Sequence, residues 1–220
     1  MTSPTLRRRS GTLDSLRGLT LVSMMAYHAC WDLVYLYGMP WDWYRSFWAY
    51  AWQQSICCTF ILLSGYCWQM GRHPLRRGLM SFCGGAALLT VPLRSLLDRT
   101  PPRLGLAVSF LLFLLVRDVN SGFLGFAGVP VLHPPQSWYA STLTTALGFP
   151  YPGFVSSDYF SLLPWLLLFW TGYHLYRLRP ETPALPDIRL PGLMAMGRHS
   201  LVIYLLHQPV IYGLLALIFS

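Results

Sequence analysis

The sequence predicts an all-α fold, a multi-pass bundle of transmembrane helices with about five crossings and one short re-entrant or irregular apolar segment. Three observations carry this. The 220 residues are 54% hydrophobic and only 11% charged, and several apolar runs approach the roughly 20 residues a helix needs to cross hydrocarbon. Nine Trp and thirteen Tyr supply amphipathic rings, which favour the bilayer interface. The formal charge of +8 comes from Arg without any Lys, and the Arg residues sit in short segments between apolar runs, as in loops facing anionic headgroups. No basic stripe with interleaved aromatics occurs, so nucleic acid is not an expected partner. Residues 1–220 read as one integral-membrane domain, with 1–13 a basic cytoplasmic tail and 119–158 an external loop region.

Helix one is expected over Leu16–Tyr37 and stops at the Gly38-Met39-Pro40 turn. The basic start "MTSPTLRRRS" leads into a polar stretch with Asp14 and Arg17, so no removable signal peptide is expected. "WDWYRSFW" is an aromatic interfacial link, and Ser46–Met70 carries neither charge nor His. "GRHPLRRG" (71–78) is a strongly basic loop. Leu79–Leu93 is apolar but short, weakened by Gly84-Gly85 and Pro92, and Leu104–Val116 is shorter still. A Gly/Pro-rich aromatic stretch, read as loop or re-entrant hairpins, extends from Val119 to Asp158. Tyr159–Tyr176 and Leu193–Phe219 are the last spans, separated by the Pro-rich linker "RLRPETPALPDIRLP".

Charge placement sets the crossing number. With the Arg triplet at 7–9 inside, crossings at both 79–93 and 104–116 would leave Arg94, Arg99, Arg103, Arg177, Arg179 and Arg189 outside, against the positive-inside rule. If those two runs cross only once together, these Arg residues fall inside and the stretch 119–158, which has no Arg or Lys, falls outside. An odd count follows. The N-terminus is then cytoplasmic, and 79–97 dips in and returns or runs irregularly.

Helix one carries Asp14 and Arg17 near its start and His28 and Asp32 farther along, each pair on one face. At ~1.5 Å rise per residue, His28 lies roughly 16 Å beyond Arg17, near mid-membrane. An ionisable group there is costly and is a functional-site hypothesis by default. Asp32 can hold the imidazole tautomer and stabilise imidazolium. Alternatively the pair is a structural hydrogen bond to a neighbouring helix. In the last span, "GRHSLVIYLLHQP" puts Arg198 and His199 at its cytoplasmic start and His207 roughly 13 Å deeper. Under the odd count, the first and last spans run the same way, so His28 and His207 reach similar depth. Pro209 is expected to kink this helix. His207 can instead serve helix packing.

His174 and His73 lie at cytoplasmic edges and read as solvated or headgroup-facing, and His133 has no partner identifiable from sequence. Ser156 or Ser157 can cap the following helix, with Asp158 favouring its dipole or contacting a polar acceptor substrate. Cys30, Cys57, Cys58, Cys67 and Cys83 lie in apolar runs without CxxC spacing and read as small hydrophobes. No metal site is expected, since His28 and Asp32 alone are too few ligands. No GxSxG, P-loop, GxGxxG or HExxH occurs, so covalent Ser catalysis and nucleotide hydrolysis lack support.

Three stretches, "LDSLRGLTLVSMMAYHACWDLVY", "SSDYFSLLPWLLLFWTGYHLYR" and "MGRHSLVIYLLHQPV", together resemble bacterial heparan-alpha-glucosaminide N-acetyltransferase-like membrane proteins. The resemblance covers most of the chain. It implies a multi-pass acyltransferase of the bacterial inner membrane, moving an acetyl group from acetyl-CoA to an amine or hydroxyl of a glycan or other small acceptor. A membrane histidine assists, matched here by His28 with Asp32 as its orienter, while Arg198 and His207 match recurrent positions in the last helix. Asp14 and Asp158 join the expected binding residues, and Arg17 with the Arg residues of 72–77 suits CoA phosphates. Membrane lipids are the other partners, and a homo-oligomer is compatible with the reading. Family members usually carry a further span before "PPRLGL", so the chain is expected to be shortened by about one span. The rival expectation is a non-catalytic membrane protein, either a small transporter or a scaffold that lost activity with that span.

Overall fold

A computed structural model describes residues 10–70, 84–155, 159–179 and 186–219. Helix predominates. The described α-helices are α1 (Gly11–Tyr35), α2 (Phe47–Trp68), α3 (Gly84–Arg99), α4 (Pro102–Val116), α5 (Thr142–Leu147), α6 (Leu162–Arg177), α7 (Pro191–Arg198) and α8 (Ser200–Phe219). Two stretches, Pro102–Ser121 and Ser200–Phe219, are long and apolar enough to cross a bilayer. The chain divides into two compact units, one of residues 1–60 with 184–220, the other of residues 61–183.

In the first unit, α1 begins at Gly11, earlier than expected, because the linker supplies its N-terminal partners. Asp187 Oδ1 accepts from the Gly11 N–H at 3.0 Å, and Thr12 Oγ1 accepts from the Ile188 N–H at 2.8 Å. The first satisfies one of the N–H donors that a helix start leaves open, and the second ties the linker to the helix. Gly18 and Gly197 then let α1 and α7 meet backbone to backbone. A Cβ at Gly18 would stand 2.0 Å from the Leu193 carbonyl oxygen, and one at Gly197 would stand 2.0 Å from that of Asp14. Leu21, Met24 and Ile56 form a buried cluster lined by Tyr27, Trp52, Phe60, Met196, Ile203 and Tyr204. A second cluster, Val34, Tyr44 and Ala49, fastens the link between α1 and α2. Trp52 Nε1 donates to Ser23 Oγ at 2.7 Å, and Tyr44 OH to the Tyr27 carbonyl at 3.0 Å. These bonds fix the rotation of α1.

The expected single last span is two helices. It breaks at His199 (φ −102°, ψ 23°), between α7 and α8. Pro209 lies within α8, which continues through that residue.

In the second unit, α6 packs on the end of α2, where a Cβ at Gly172 would meet the Leu62 carbonyl oxygen at 2.1 Å. The segment expected to be irregular is regular from Gly84 onward. It is one helix, α3, containing Pro92, and it turns through Thr100-Pro101 into α4. Arg177 explains why α3 ends firmly. Its guanidinium donates to the carbonyls of Leu97 (2.6 Å), Thr100 (2.8 Å) and Asp98 (2.7 Å), acceptors that the helix end would leave open. Tyr173 OH adds a 2.5 Å bond to Asp98 Oδ1, and Trp170 Nε1 reaches Thr90 Oγ1 at 2.9 Å.

The 119–155 stretch contains an antiparallel hairpin of β1 (Leu124–Phe126) and β2 (Val129–Leu132), a departure from an all-helical chain. Ala127 (φ 51°) and Gly128 (φ 80°) make its two-residue turn, and positive φ at both positions is what a type I′ hairpin turn needs. Ser141 and Thr144 form a capping box on α5. The start of α6 is Leu162, with Ser161 at its N-cap. Ser156 and Ser157, the expected caps, lie outside the described residues, as do the basic loop 71–78 and residues 79–83.

Candidate functional site

The site stands in the first unit. On α1, His28 and Asp32 are separated by one turn, and α8 brings His207 beside them. The His28 and His207 ring centroids are 4.8 Å apart with planes at 60°. Asp32 is fully buried at 0% exposure, within electrostatic reach of both imidazoles. Its Oδ1 accepts from Gln208 Nε2 at 2.9 Å, and its Oδ2 has no hydrogen-bond partner among the described residues.

His207 Nδ1 lies 2.5 Å from the Tyr204 carbonyl oxygen. A carbonyl only accepts, so Nδ1 carries the hydrogen and Nε2 holds the lone pair. That Nε2 is buried and has no hydrogen-bond partner among the described residues, as is the case for Gln208 Oε1. Three acceptors in this cluster, Asp32 Oδ2, His207 Nε2 and Gln208 Oε1, are therefore buried without a hydrogen-bond partner among the described residues. Each buried acceptor left unpaired costs roughly 1–3 kcal/mol, which favours a ligand bringing N–H or O–H donors. His28 is half-buried and stands edge-on to Tyr27, at 6.1 Å and 87°. Tyr27 in turn packs against Tyr44 and Trp52.

Toward the start of α1 the close approach of α7 sets a second polar group. Arg198 Nε lies 3.6 Å from Asp14 Oδ2, with the carboxylate side chain buried (4%) and the guanidinium half exposed (49%). Arg17 is half-buried one turn beyond Asp14, its Cβ lying beside Gly197. Of the expected site residues, then, His28, Asp32 and His207 come together, and Asp14, Arg17 and Arg198 gather at the α1–α7 contact. Asp158 lies outside the described residues.

Residues 9–209 match the family profile of the heparan-alpha-glucosaminide N-acetyltransferase catalytic domain. The chain belongs to that family. No curated protein and no solved structure matches it. Membership makes this heparan-alpha-glucosaminide N-acetyltransferase-type domain a membrane acetyltransferase by family, and its apolar helices fit a membrane location.

Two histidine expectations for this N-acetyltransferase-type domain are corrected. His174 is not solvated. It is 2% exposed, its ring filling the space over Gly105, where a Cβ would stand 2.3 Å from Cε1. His133 has a partner, the Gly122 carbonyl 3.3 Å from Nδ1. His73 lies outside the described residues. Cys30, Cys57, Cys58 and Cys67, half-buried or buried, form no disulfide among the described residues, and Cys83 is outside the described residues. Among the described residues no group of three or more His, Cys, Asp or Glu is arranged to hold a metal ion. Sequence reasoning missed Gln208 and Tyr204. The one available signal was the motif "IYLLHQP", in which both flank the histidine.

Proposed function

We propose that this chain is an acyltransferase of the bacterial inner membrane that moves an acetyl group from acetyl-CoA to an amine or hydroxyl of a sugar-like acceptor, with His28 as general base. The observation that carries the proposal is the cluster of two imidazoles 4.8 Å apart beside a fully buried carboxylate, in a chain of an acetyltransferase family. The three buried acceptor atoms without a partner among the described residues suit an acceptor group rich in donors.

The chemistry runs as one substitution. His28 takes the proton from the acceptor N–H or O–H as the new bond to the acetyl carbon forms. Asp32 stabilises the resulting imidazolium, as a buried carboxylate does beside a general base. His207 Nε2 accepts a hydrogen bond from the nucleophile and orients its lone pair. The carbon–sulfur bond then breaks, and the imidazolium proton passes to the departing thiolate. The products are acetylated acceptor and the free thiol. Arg17 and Arg198 are the cations for CoA phosphates, with Asp14 setting the Arg198 side chain, and Asp158 is an acceptor contact at the opposite interface. Five crossings, a cytoplasmic N-terminus and one span fewer than usual in relatives complete the reading.

Purified protein in lipid nanodiscs with labelled acetyl-CoA and a glucosamine-type acceptor tests it. Labelled N- or O-acetyl product is expected, and His28→Ala should lower turnover at least about a hundredfold, the scale of general acid–base assistance, while still inserting. An unchanged rate in that variant would remove His28 as base. Absence of both transfer and acetyl-CoA binding would make the chain a non-catalytic membrane protein.

A further inference from the structure

The structure assigns Gln208 as a positioning residue: its amide holds one oxygen of Asp32 and so fixes how the carboxylate stands beside the two imidazoles. This rests on the reading of His28 and Asp32 given above.

The argument begins with what each group can do. A carboxylate offers only acceptors, so the Gln208 amide must present its NH2 side to Asp32, and the amide orientation is fixed by chemistry. The 2.9 Å bond ties α1 to α8 across 176 residues of sequence. With one oxygen engaged by the amide and the other without a hydrogen-bond partner among the described residues, the bond holds the carboxylate plane and leaves the second oxygen for a neighbouring donor. His207 and Gln208 are consecutive, so one turn of α8 supplies both the second imidazole and the donor that orients the acid. A hydrogen bond to a charged group in a low-dielectric interior is far stronger than the same bond in water. Gln208 therefore decides how Asp32 points. A leucine of similar size would leave the carboxylate free to turn away.

Four variants test this, in nanodiscs, beside the parent and His28→Ala. Gln208→Leu removes the donor, Gln208→Asn keeps the amide but shortens its reach, and Gln208→Glu alone puts two acids in contact. The swap Asp32→Asn with Gln208→Glu rebuilds an amide–carboxylate bond with reversed polarity. Gln208→Leu and Gln208→Asn should lower kcat about ten- to a hundredfold, the rate equivalent of one hydrogen bond to a charged group, with KM for acetyl-CoA unchanged. The swap should restore the melting temperature lost in Gln208→Glu, yet leave kcat low, since the carboxylate now sits on the wrong helix. Recovery of both by the swap, or an unchanged kcat in Gln208→Leu, would reduce Gln208 to helix packing.

A readout without turnover separates this inference from the acyltransfer reading. In protein carrying 15N-histidine, the His28 and His207 ring signals are titrated, assigned by His→Ala variants. Gln208→Leu should move at least one midpoint by about half a pH unit or more. The titratable rings beside the two imidazoles, Tyr27 at His28 and Tyr204 at His207, are the same in every variant. Unmoved midpoints overturn the positioning role even if the enzyme is active. Moved midpoints in a protein without transfer uphold it and discard the acyltransfer reading instead.

Discussion

At the scale of single residues, Tyr44 illustrates how the link between α1 and α2 holds the site from a distance. It is buried, and its hydroxyl donates to the Tyr27 carbonyl, the residue whose ring flanks His28. Burial, together with the neighbouring Tyr27 hydroxyl, pushes the Tyr44 phenol well above its ordinary value of 10.0. The raised folded value means its contribution is complete below pH 10 and is lost as the pH climbs through the folded value, because only the unfolded chain releases the proton in that window. Tyr44→Phe should cost about 1 kcal/mol at neutral pH and flatten the alkaline decline of stability above pH ~10. Thermal melts of the two proteins between neutral and alkaline pH check both. A Phe variant with the parent's alkaline slope would exclude Tyr44 as its source.

His28 and Asp32 were legible because a helical period puts them on one face, and the depth count from Arg17 and Arg198 put His207 level with His28. Gln208 was not, since an amide beside proline carries no period or spacing of its own. His174 was misread from its place near an Arg-rich edge. What buries it is Gly105, a residue whose importance lies in having no side chain.

Elements are where small residues and caps decide the geometry. Gly18→Ala or Gly197→Ala would put a Cβ within 2.0 Å of a backbone carbonyl oxygen. Relief requires α1 and α7 to separate, at a cost of about 1–3 kcal/mol for overpacking. Activity should fall with the melting temperature, because the same displacement moves Arg198 from Asp14. Asp187→Ala should lower stability by about 1 kcal/mol, as loss of an N-terminal cap does, with faster hydrogen exchange confined to the first turn of α1. Exchange unchanged there would show that Asp187 does not hold that turn.

The breaks between elements were the hardest features to read. The apolar run of Leu193–Phe219 hides the interruption at His199, because both flanking helices are apolar. Pro92 argued for irregularity, but the Arg177 cap and the Trp170–Thr90 bond hold α3 together around the missing amide. The hairpin turn uses Ala127 at positive φ, a choice that no turn signature announces.

For the whole molecule, the apolar, helical character was the most legible feature, since it depends on composition, not on partners; two stretches, Pro102–Ser121 and Ser200–Phe219, are long and apolar enough to cross a bilayer. The stretch 119–155 has no charged side chain at all and exposes Val129, Val131, Leu143 and Val155. Five crossings would put it outside and the α3–α4 corner inside. In a protein whose native cysteines are replaced, Ser137→Cys should react with an impermeant maleimide in intact cells, and Arg99→Cys only after permeabilisation. The reverse pattern would require an even number of crossings before α5.

The bond between Asp32 and Gln208 spans 176 residues, which has a consequence for biosynthesis. At ribosomal speed, roughly ten to thirty-five seconds separate the birth of the acid from that of the amide that receives it. Through that interval the first segment must rest in or beside the insertion machinery with its carboxylate unmatched. A truncated transcript ending before codon 208 should therefore yield a protein that quality-control proteases remove, however well its earlier segments insert.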